Sequence, residues 1–121
     1  MRFRFALPTS LGASLVVGLF LSSSTGAQDT PRRIEVTAKR FEYIPSHITL
    51  KKGEPVVLVL KSADVAHGVR FKELGLQTDI AKGNSSQLAF TPTKTGTFVG
   101  HCSHFCGSGH GSMTLTLDVT E

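Results

Sequence analysis

Residues 101–113, HCSHFCGSGHGSM, concentrate most of the side chains in this sequence that carry soft donor atoms. The segment contains both cysteines of the chain, three of its five histidines and its only methionine besides Met1. Thiolate, imidazole and thioether groups together suit copper, above all in its reduced state, whereas zinc seldom takes a thioether. This combination within thirteen residues predicts a copper site.

The spacing of these donors is that of a compact loop. Three residues separate Cys102 from Cys106, three separate Cys106 from His110, and two separate His110 from Met113. Three glycines and three serines lie between them, so the chain can fold tightly around a small object. One cysteine with two histidines and a distant methionine would make a mononuclear blue copper site. With a second cysteine, two thiolates can bridge two copper ions that share one unpaired electron, which keeps the reorganisation cost of electron transfer low.

A binuclear site needs a further ligand from outside this loop. The candidate is His67, in the segment ADVAHGV at 63–69. It follows a predicted buried strand by about one loop, and in a β-sandwich that loop can lie at the same end as the loop at 102–113.

The elements that must position these side chains are short β-strands. Apolar residues recur with period two, or run continuously, in seven segments: 34–38, 48–50, 55–60, 68–71, 86–90, 96–101 and 113–119. The run PVVLVL at 55–60 is rich in β-branched residues, as in a strand buried on both faces. Six or seven such strands separated by polar turns indicate an all-β sandwich. Residues 72–84 are compatible with a short helical turn or an irregular loop.

The N-terminal part is expected to lie outside this domain. Arg2 and Arg4 precede an eleven-residue apolar run, and small residues end at Ala27. This order predicts a secretory signal peptide over residues 1–27, followed by a flexible lead-in at 28–33 and a domain at 34–121. The alternative is an uncleaved membrane anchor, but a spanning helix needs about 20 apolar residues.

Charge and cysteine content narrow the function classes. Without the first 27 residues, 94 remain, with eleven basic and nine acidic side chains and a net charge of +2. Such a small excess does not favour nucleic acid as a partner. Two cysteines in an exported chain predict either a single disulfide or a metal site, and the neighbouring donors favour the metal.

The pattern C-x-x-x-C-G-x-x-H-x-x-M, with D-V-x-H upstream, resembles the CuA domain of cytochrome c oxidase subunit II. It is also similar to the CuA domain of nitrous oxide reductase. The segment DVAHGVRFKELGLQTD at 64–79 resembles the subunit II stretch around the first copper histidine. The likeness covers about residues 34–120. It implies a cupredoxin-like Greek-key β-sandwich of about seven strands and a binuclear, mixed-valence copper centre.

The resemblance also implies a role for each donor. Both cysteines, Cys102 and Cys106, would bridge two coppers, His67 and Met113 would complete one copper, and His110 would complete the other. The backbone carbonyl of residue 104 would be a further ligand of the second copper. Here that residue is His104, where the oxidase subunit usually has glutamate, and a carbonyl ligand does not depend on the side chain.

These observations predict an exported electron-transfer protein, periplasmic or on the outer face of the cytoplasmic membrane. It would take one electron from a redox protein, such as a c-type cytochrome, and pass it to another, without being an enzyme by itself. It would touch the membrane only through an uncleaved signal segment. The chain has no tryptophan, and so lacks the family's aromatic patch that receives electrons, which favours a free-standing protein.

Two other functions remain open from the residues alone. The first is a periplasmic copper carrier or delivery protein, and the second is a mononuclear cupredoxin with a spare thiol. Several other histidine and phenylalanine side chains are not expected to bind metal. His47 and His101 are predicted at the surface, and Phe98 and Phe105 are predicted to pack around the loop.

Overall fold

A computed structural model describes residues 30–121 of the protein, together with positions 12, 13 and 18. Apart from these three positions, the predicted signal peptide, residues 1–27, lies outside the described residues, and so does the start of the lead-in. The described part contains nine strands and two short 3-10 helices. Among these residues, no helix has the length and apolar character needed to cross a membrane.

The strands form two mixed sheets. They are β1 (Arg32–Lys39), β2 (Glu42–Ile44), β3 (His47–Lys51), β4 (Val56–Ser62), β5 (His67–Phe71), β6 (Leu76–Ile80), β7 (Ser86–Phe90), β8 (Gly96–His101) and β9 (Thr114–Thr120); the 3-10 helices are Lys72–Leu74 and His110–Ser112. One sheet has the order β2-β1-β4-β7 and the other the order β3-β9-β8-β5-β6. The pairs β1–β4 and β3–β9 are parallel, and the others are antiparallel.

The core lies between the sheets and follows the period-two pattern. In β9 the side chains of Leu115 and Leu117 are fully buried, and in β1 those of Val36 and Ala38 are fully buried. Their neighbours along each strand are half-buried or exposed. Alternate side chains of a strand point to opposite faces, so one face of each sheet packs into the core. The predicted all-β sandwich is confirmed.

Two of the strands, β2 and β6, are not predicted by the sequence pattern. β2 has three residues, which is too few to display a period. β6 lies in the segment left as a helical turn or an irregular loop, directly after the first 3-10 helix. Only one of its five residues, Ile80, is fully buried, and the strand pairs with β5, from Phe71 opposite Leu76 to His67 opposite Ile80. The partner strand, more than local pattern, makes this segment extended.

The pairing of β5 with β8 brings the two predicted donor segments together. These strands are antiparallel, with Arg70 opposite His101, so the start of β5 lies beside the residues that follow β8. His67 is the first residue of β5, and residues 102–113, hereafter the donor loop, directly follow β8. The backbone N–H of Cys102 donates to the carbonyl of Met113 at 3.2 Å, which closes the base of this loop.

Candidate metal centre

The donor loop and the start of β5 bring five donor side chains together, with the two cysteine sulfurs at the centre. The Sγ atoms of Cys102 and Cys106 are 3.7 Å apart. Nδ1 of His67 is 4.0 Å from Sγ of Cys102, and Nδ1 of His110 is 3.8 Å from Sγ of Cys106. Sδ of Met113 lies 3.9 Å from the same Cys106 sulfur. Each thiol therefore has its own imidazole, and the thioether lies beside Cys106.

Burial separates these donors into an inner and an outer group. His67 and Met113 are fully buried, and the two cysteines are each 5% exposed. His110 is only half-buried and lies at the edge of the site. Its ring is 5.7 Å from that of Phe105, centroid to centroid. Of the donor side chains, His110 is therefore the one nearest to solvent.

His67 is held by a carboxylate from the preceding loop. Its Nε2 is 2.7 Å from Oδ1 of Asp64, which leaves Nδ1 directed at Cys102. The other carboxylate oxygen of Asp64 accepts a hydrogen bond from the backbone N–H of Arg40 at 2.8 Å. A carboxylate on the far nitrogen fixes the tautomer and orientation of a ligating imidazole. Asp64 is therefore a positioning residue of the site.

The donor loop folds on a short 3-10 turn that presents its last two donors. The N–H of His110 donates to the carbonyl of Gly107 at 3.1 Å, and the N–H of Met113 donates to the carbonyl of His110 at 3.3 Å. Gly107 has φ of +137°, a conformation that L side chains rarely adopt. Glycine at this position lets the chain reverse between Cys106 and His110.

The turn between β1 and β2, which belongs to the opposite sheet, supports the donor loop from outside. Nε of Arg40 donates to the carbonyl of Cys106 at 2.9 Å. The ring of Phe41 packs so closely on the loop that an added Cβ at Gly107 would be 3.0 Å from it, and one at Gly109 only 2.5 Å. Arg40 thus contacts both halves of the site, through Asp64 and through Cys106.

The donor loop also packs closely against Gly68, the residue that follows His67. An added Cβ at Gly68 would collide with the Ser103 hydroxyl and lie 3.3 Å from the carbonyl oxygen of Thr78. The hydroxyl of the buried Tyr43 donates to the carbonyl of Gly68. The glycine after His67 therefore lets the donor loop lie directly against β5.

Burial and hydrogen bonding shift the pKa values of three groups around the sulfurs. Burial, followed by the hydrogen bond and charge of Cys102, raises the pKa of the Cys106 thiol to about 11. Burial, followed by the nearby Cys102, also raises the pKa of Tyr43 far above its usual range. Partial burial would raise the pKa of Asp64 too. The N–H of Arg40 and the ring of His67 outweigh that effect and hold it well below its usual range.

The donor set fits copper, and both cysteines are free thiols. Four ligands around a tetrahedral ion with bonds of about 2.3 Å stand about 3.8 Å apart. The observed separations of 3.7 to 4.0 Å match this spacing. The ligand atoms of His67 and both cysteines all lie within 4.8 Å of one another. A disulfide would need the two sulfurs at about 2.05 Å. Soft sulfur and imidazole donors around one small volume are a copper ligand set.

The remaining predictions about single residues have mixed outcomes. His47 and His101 are exposed, as predicted, and Phe98 is buried in the core. The prediction that Phe105 packs around the loop is wrong, because its side chain is 74% exposed. His104 directs only its carbonyl at the site, where it accepts a hydrogen bond from the Cys102 thiol at 3.1 Å, and its side chain is exposed.

Sequence reasoning missed the residues that position the donors. Asp64 was within the quoted D-V-x-H pattern, and its place three residues before a candidate ligand is a usable signal. Arg40, Phe41 and Tyr43 carry no such signal, because they lie in a different sheet and far from the donors in sequence.

Solved structures with the same fold include domains of cytochrome oxidase subunit II. The periplasmic domain of subunit II of the cytochrome oxidase (CoxB) of Bradyrhizobium japonicum aligns with TM-score 0.68 and 21% identity, over 74% of this chain and 84% of that one. A cytochrome c oxidase subunit II in a mixed disulfide with a thioredoxin-like protein aligns with TM-score 0.62 and 20% identity, over 78% of this chain and 87% of that one.

A further match is the metal-binding domain, with Cu(I), of the Streptococcus pneumoniae D39 Cu(I)-exporting P-type ATPase CopA. It aligns with TM-score 0.62 and 25% identity, over 74% of this chain and 85% of that one. The family model described as a cupredoxin-like domain matches residues 12–115. The chain therefore belongs to the cupredoxin-like domain family.

Proposed function

We propose that this protein is an exported copper protein that transfers single electrons through a binuclear copper centre of the CuA type. The observation that carries the proposal is the pair of buried free thiols 3.7 Å apart, each beside a different imidazole. A mononuclear site would need only one thiolate, so the second cysteine and its own histidine favour two ions.

Each candidate ligand would have its own role in binding the metal. Cys102 and Cys106 would bridge, His67 would bind on the inner side, and His110 would bind on the side nearest to solvent. Met113 would be a weak thioether ligand, and the carbonyl of His104 a backbone ligand. A bound copper pair supplies reversible one-electron chemistry. The protein supplies a dry, rigid surrounding, because four of the five donor side chains are buried.

Copper reconstitution under anaerobic conditions tests this proposal. We expect two coppers per chain, a purple colour and an electron paramagnetic resonance spectrum split by two equivalent copper nuclei. One copper with an intense blue colour would instead support the mononuclear cupredoxin. Failure to bind any copper would reject both.

One observation favours a second candidate function, a copper carrier. The similar metal-binding domain of the S. pneumoniae ATPase belongs to a Cu(I) exporter and is described with Cu(I). A carrier must release its metal, so we expect it to give up Cu(I) rapidly to a chelator of similar affinity. The electron-transfer protein should retain its copper under the same conditions and be reduced and reoxidised without loss.

The thiol pair also supports a proposal about maturation. Two free thiols this close are readily oxidised to a disulfide, which would block copper. The oxidase subunit that forms a mixed disulfide with a thioredoxin-like protein suggests the partner. Exchange with a dithiol protein returns both cysteines to thiols, while the partner's dithiol becomes the disulfide. We expect the oxidised protein to load copper only after such reduction.

Export is proposed from the N-terminal sequence and from the periplasmic domain among its structural relatives. Cleavage after Ala27 would produce a mature protein that begins at Gln28. Intact-mass analysis of the protein recovered from the periplasm tests this proposal, and a mass that retains residues 1–27 would indicate an uncleaved anchor.

A further inference from the structure

We infer that the end of the domain that carries the donor loop is a docking surface for an acidic redox protein. The inference deepens the proposed electron-transfer function and rests on it for the partner's redox character. Two open grooves border residues 102–107 of the donor loop, and both are lined by basic side chains.

The first groove lies on the β5 side of the loop. Its basic residues come from adjacent strands, because Arg70 of β5 stands opposite His101 of β8. Lys72 follows at the end of β5, and all three side chains are exposed. Cys102 and Ser103 form the wall toward the copper ligands. A partner bound in this groove would lie beside Cys102, one of the two proposed bridging thiols.

The second groove borders the loop from His104 to Gly107. Its polar residues are Arg40 and His104, and its apolar residues include Val65 and Phe105. The Phe105 side chain is 74% exposed and its ring lies 5.7 Å from that of His110. Exposed aromatic side chains are enriched at the centres of protein interfaces, where polar residues form the rim.

The charge of these grooves defines the partner. No carboxylate lines either groove, since Asp64 faces His67 and the backbone of Arg40 instead. Within residues 30–121, no ion pair engages Arg70 or Lys72. Uncompensated positive charge around an aromatic centre attracts a surface rich in aspartate and glutamate and speeds its association.

Electron-transfer rates measured against salt test the docking surface. The probes are an acidic and a basic c-type cytochrome, each mixed with the copper-loaded protein in stopped-flow experiments. We expect the second-order rate constant with the acidic cytochrome to fall about tenfold or more from low to high ionic strength, as charges become screened. The rate constant with the basic cytochrome should not fall.

Charge reversal locates the surface. We expect the double variant Arg70→Glu/Lys72→Glu to slow the acidic cytochrome about tenfold at low salt and to match the wild type at high salt. The matched control is Lys51→Glu/Lys94→Glu, which changes net charge equally at the opposite end of the sandwich. It should stay within about twofold of the wild type, because screening separates distant charges. Equal slowing by both variants, or no salt dependence, would overturn the inference.

A binding measurement separates this inference from the proposed function. Titration of the reduced protein with the acidic cytochrome, followed by amide chemical shifts, should perturb Ser103, His104 and Phe105 first. Perturbation without a binuclear copper spectrum would retain the docking surface and reject the electron-transfer function. A binuclear spectrum without perturbation by the acidic cytochrome would retain the function and reject the docking surface.

Discussion

The donors differ in how many partners each has within the site. The Cys106 sulfur contacts the Cys102 sulfur, the His110 ring and the Met113 thioether, whereas Met113 contacts only one sulfur among the donors. Loss of a shared thiol should therefore affect the whole centre, and loss of the thioether should affect it only locally.

We expect Cys106→Ser to abolish binding of the second copper and the spectrum of the coupled pair. Met113→Leu, which conserves volume in the buried position, should keep two coppers and shift the reduction potential, because a weak ligand tunes the centre. Metal analysis, electron paramagnetic resonance and voltammetry measure these outcomes. An intact binuclear spectrum in Cys106→Ser would show that this thiol does not bridge.

Asp64 acts through His67. We expect Asp64→Asn to weaken copper binding about 10- to 100-fold, because the amide no longer holds the imidazole as the carboxylate does. Competition with a Cu(I) chelator measures the affinity. Asp79→Asn, an exposed carboxylate on β6, is the control and should leave the affinity unchanged. Equal affinities of the two variants would show that the Asp64 contact does not matter for the metal.

At the scale of elements, each sheet contributes one part of the site. Strand β5 carries His67, and the donor loop between β8 and β9 carries the other four donor side chains, at one end of the same sheet. The turn between β1 and β2 in the other sheet contacts the donor loop through Arg40 and Phe41. The donor loop has few apolar side chains of its own, so this turn supplies the packing that holds it in one conformation.

Replacement of the aromatic ring in this turn should therefore cost stability. We expect Phe41→Ala to lower the free energy of unfolding by about 2 to 4 kcal/mol and to weaken copper binding, because it leaves a cavity under two loop glycines. Urea denaturation measures the first effect. Phe105→Ala removes an equal ring from an exposed position and should change stability by less than about 0.5 kcal/mol. Equal costs would mean that Phe41 does not support the loop.

For the whole molecule, the site forms only when both sheets are in place. His67 and Cys102 are 35 residues apart in the chain, and Arg40 is 66 residues from Cys106. An unfolded chain cannot present these groups together, so metal binding and folding are linked.

We expect stoichiometric Cu(I) to raise the unfolding free energy of the reduced protein by about 4 kcal/mol or more when free metal exceeds its dissociation constant a thousandfold. Anaerobic thermal unfolding with and without Cu(I) measures this. In the Cys102→Ser/Cys106→Ser variant the gain should disappear, because unspecific binding to histidines would not favour the folded state. An undiminished gain in that variant would place the metal elsewhere.

The sequence by itself determined most of the donor set of the candidate centre and the class of fold. Four donor side chains lie within twelve consecutive residues, so covalent spacing alone keeps them close. The alternation of apolar and polar residues predicts strands such as β1 and β9 without knowledge of the strands that pair with them. Only the tertiary structure decided which groups of the opposite sheet support the site and which loop residues reach solvent. The pairing of β5 with β8 brings His67 to the thiols, and the packing of the two sheets brings Arg40 and Phe41 beneath the loop. Those contacts, like the exposure of Phe105, depend on how separate strands pack, and local pattern does not encode that.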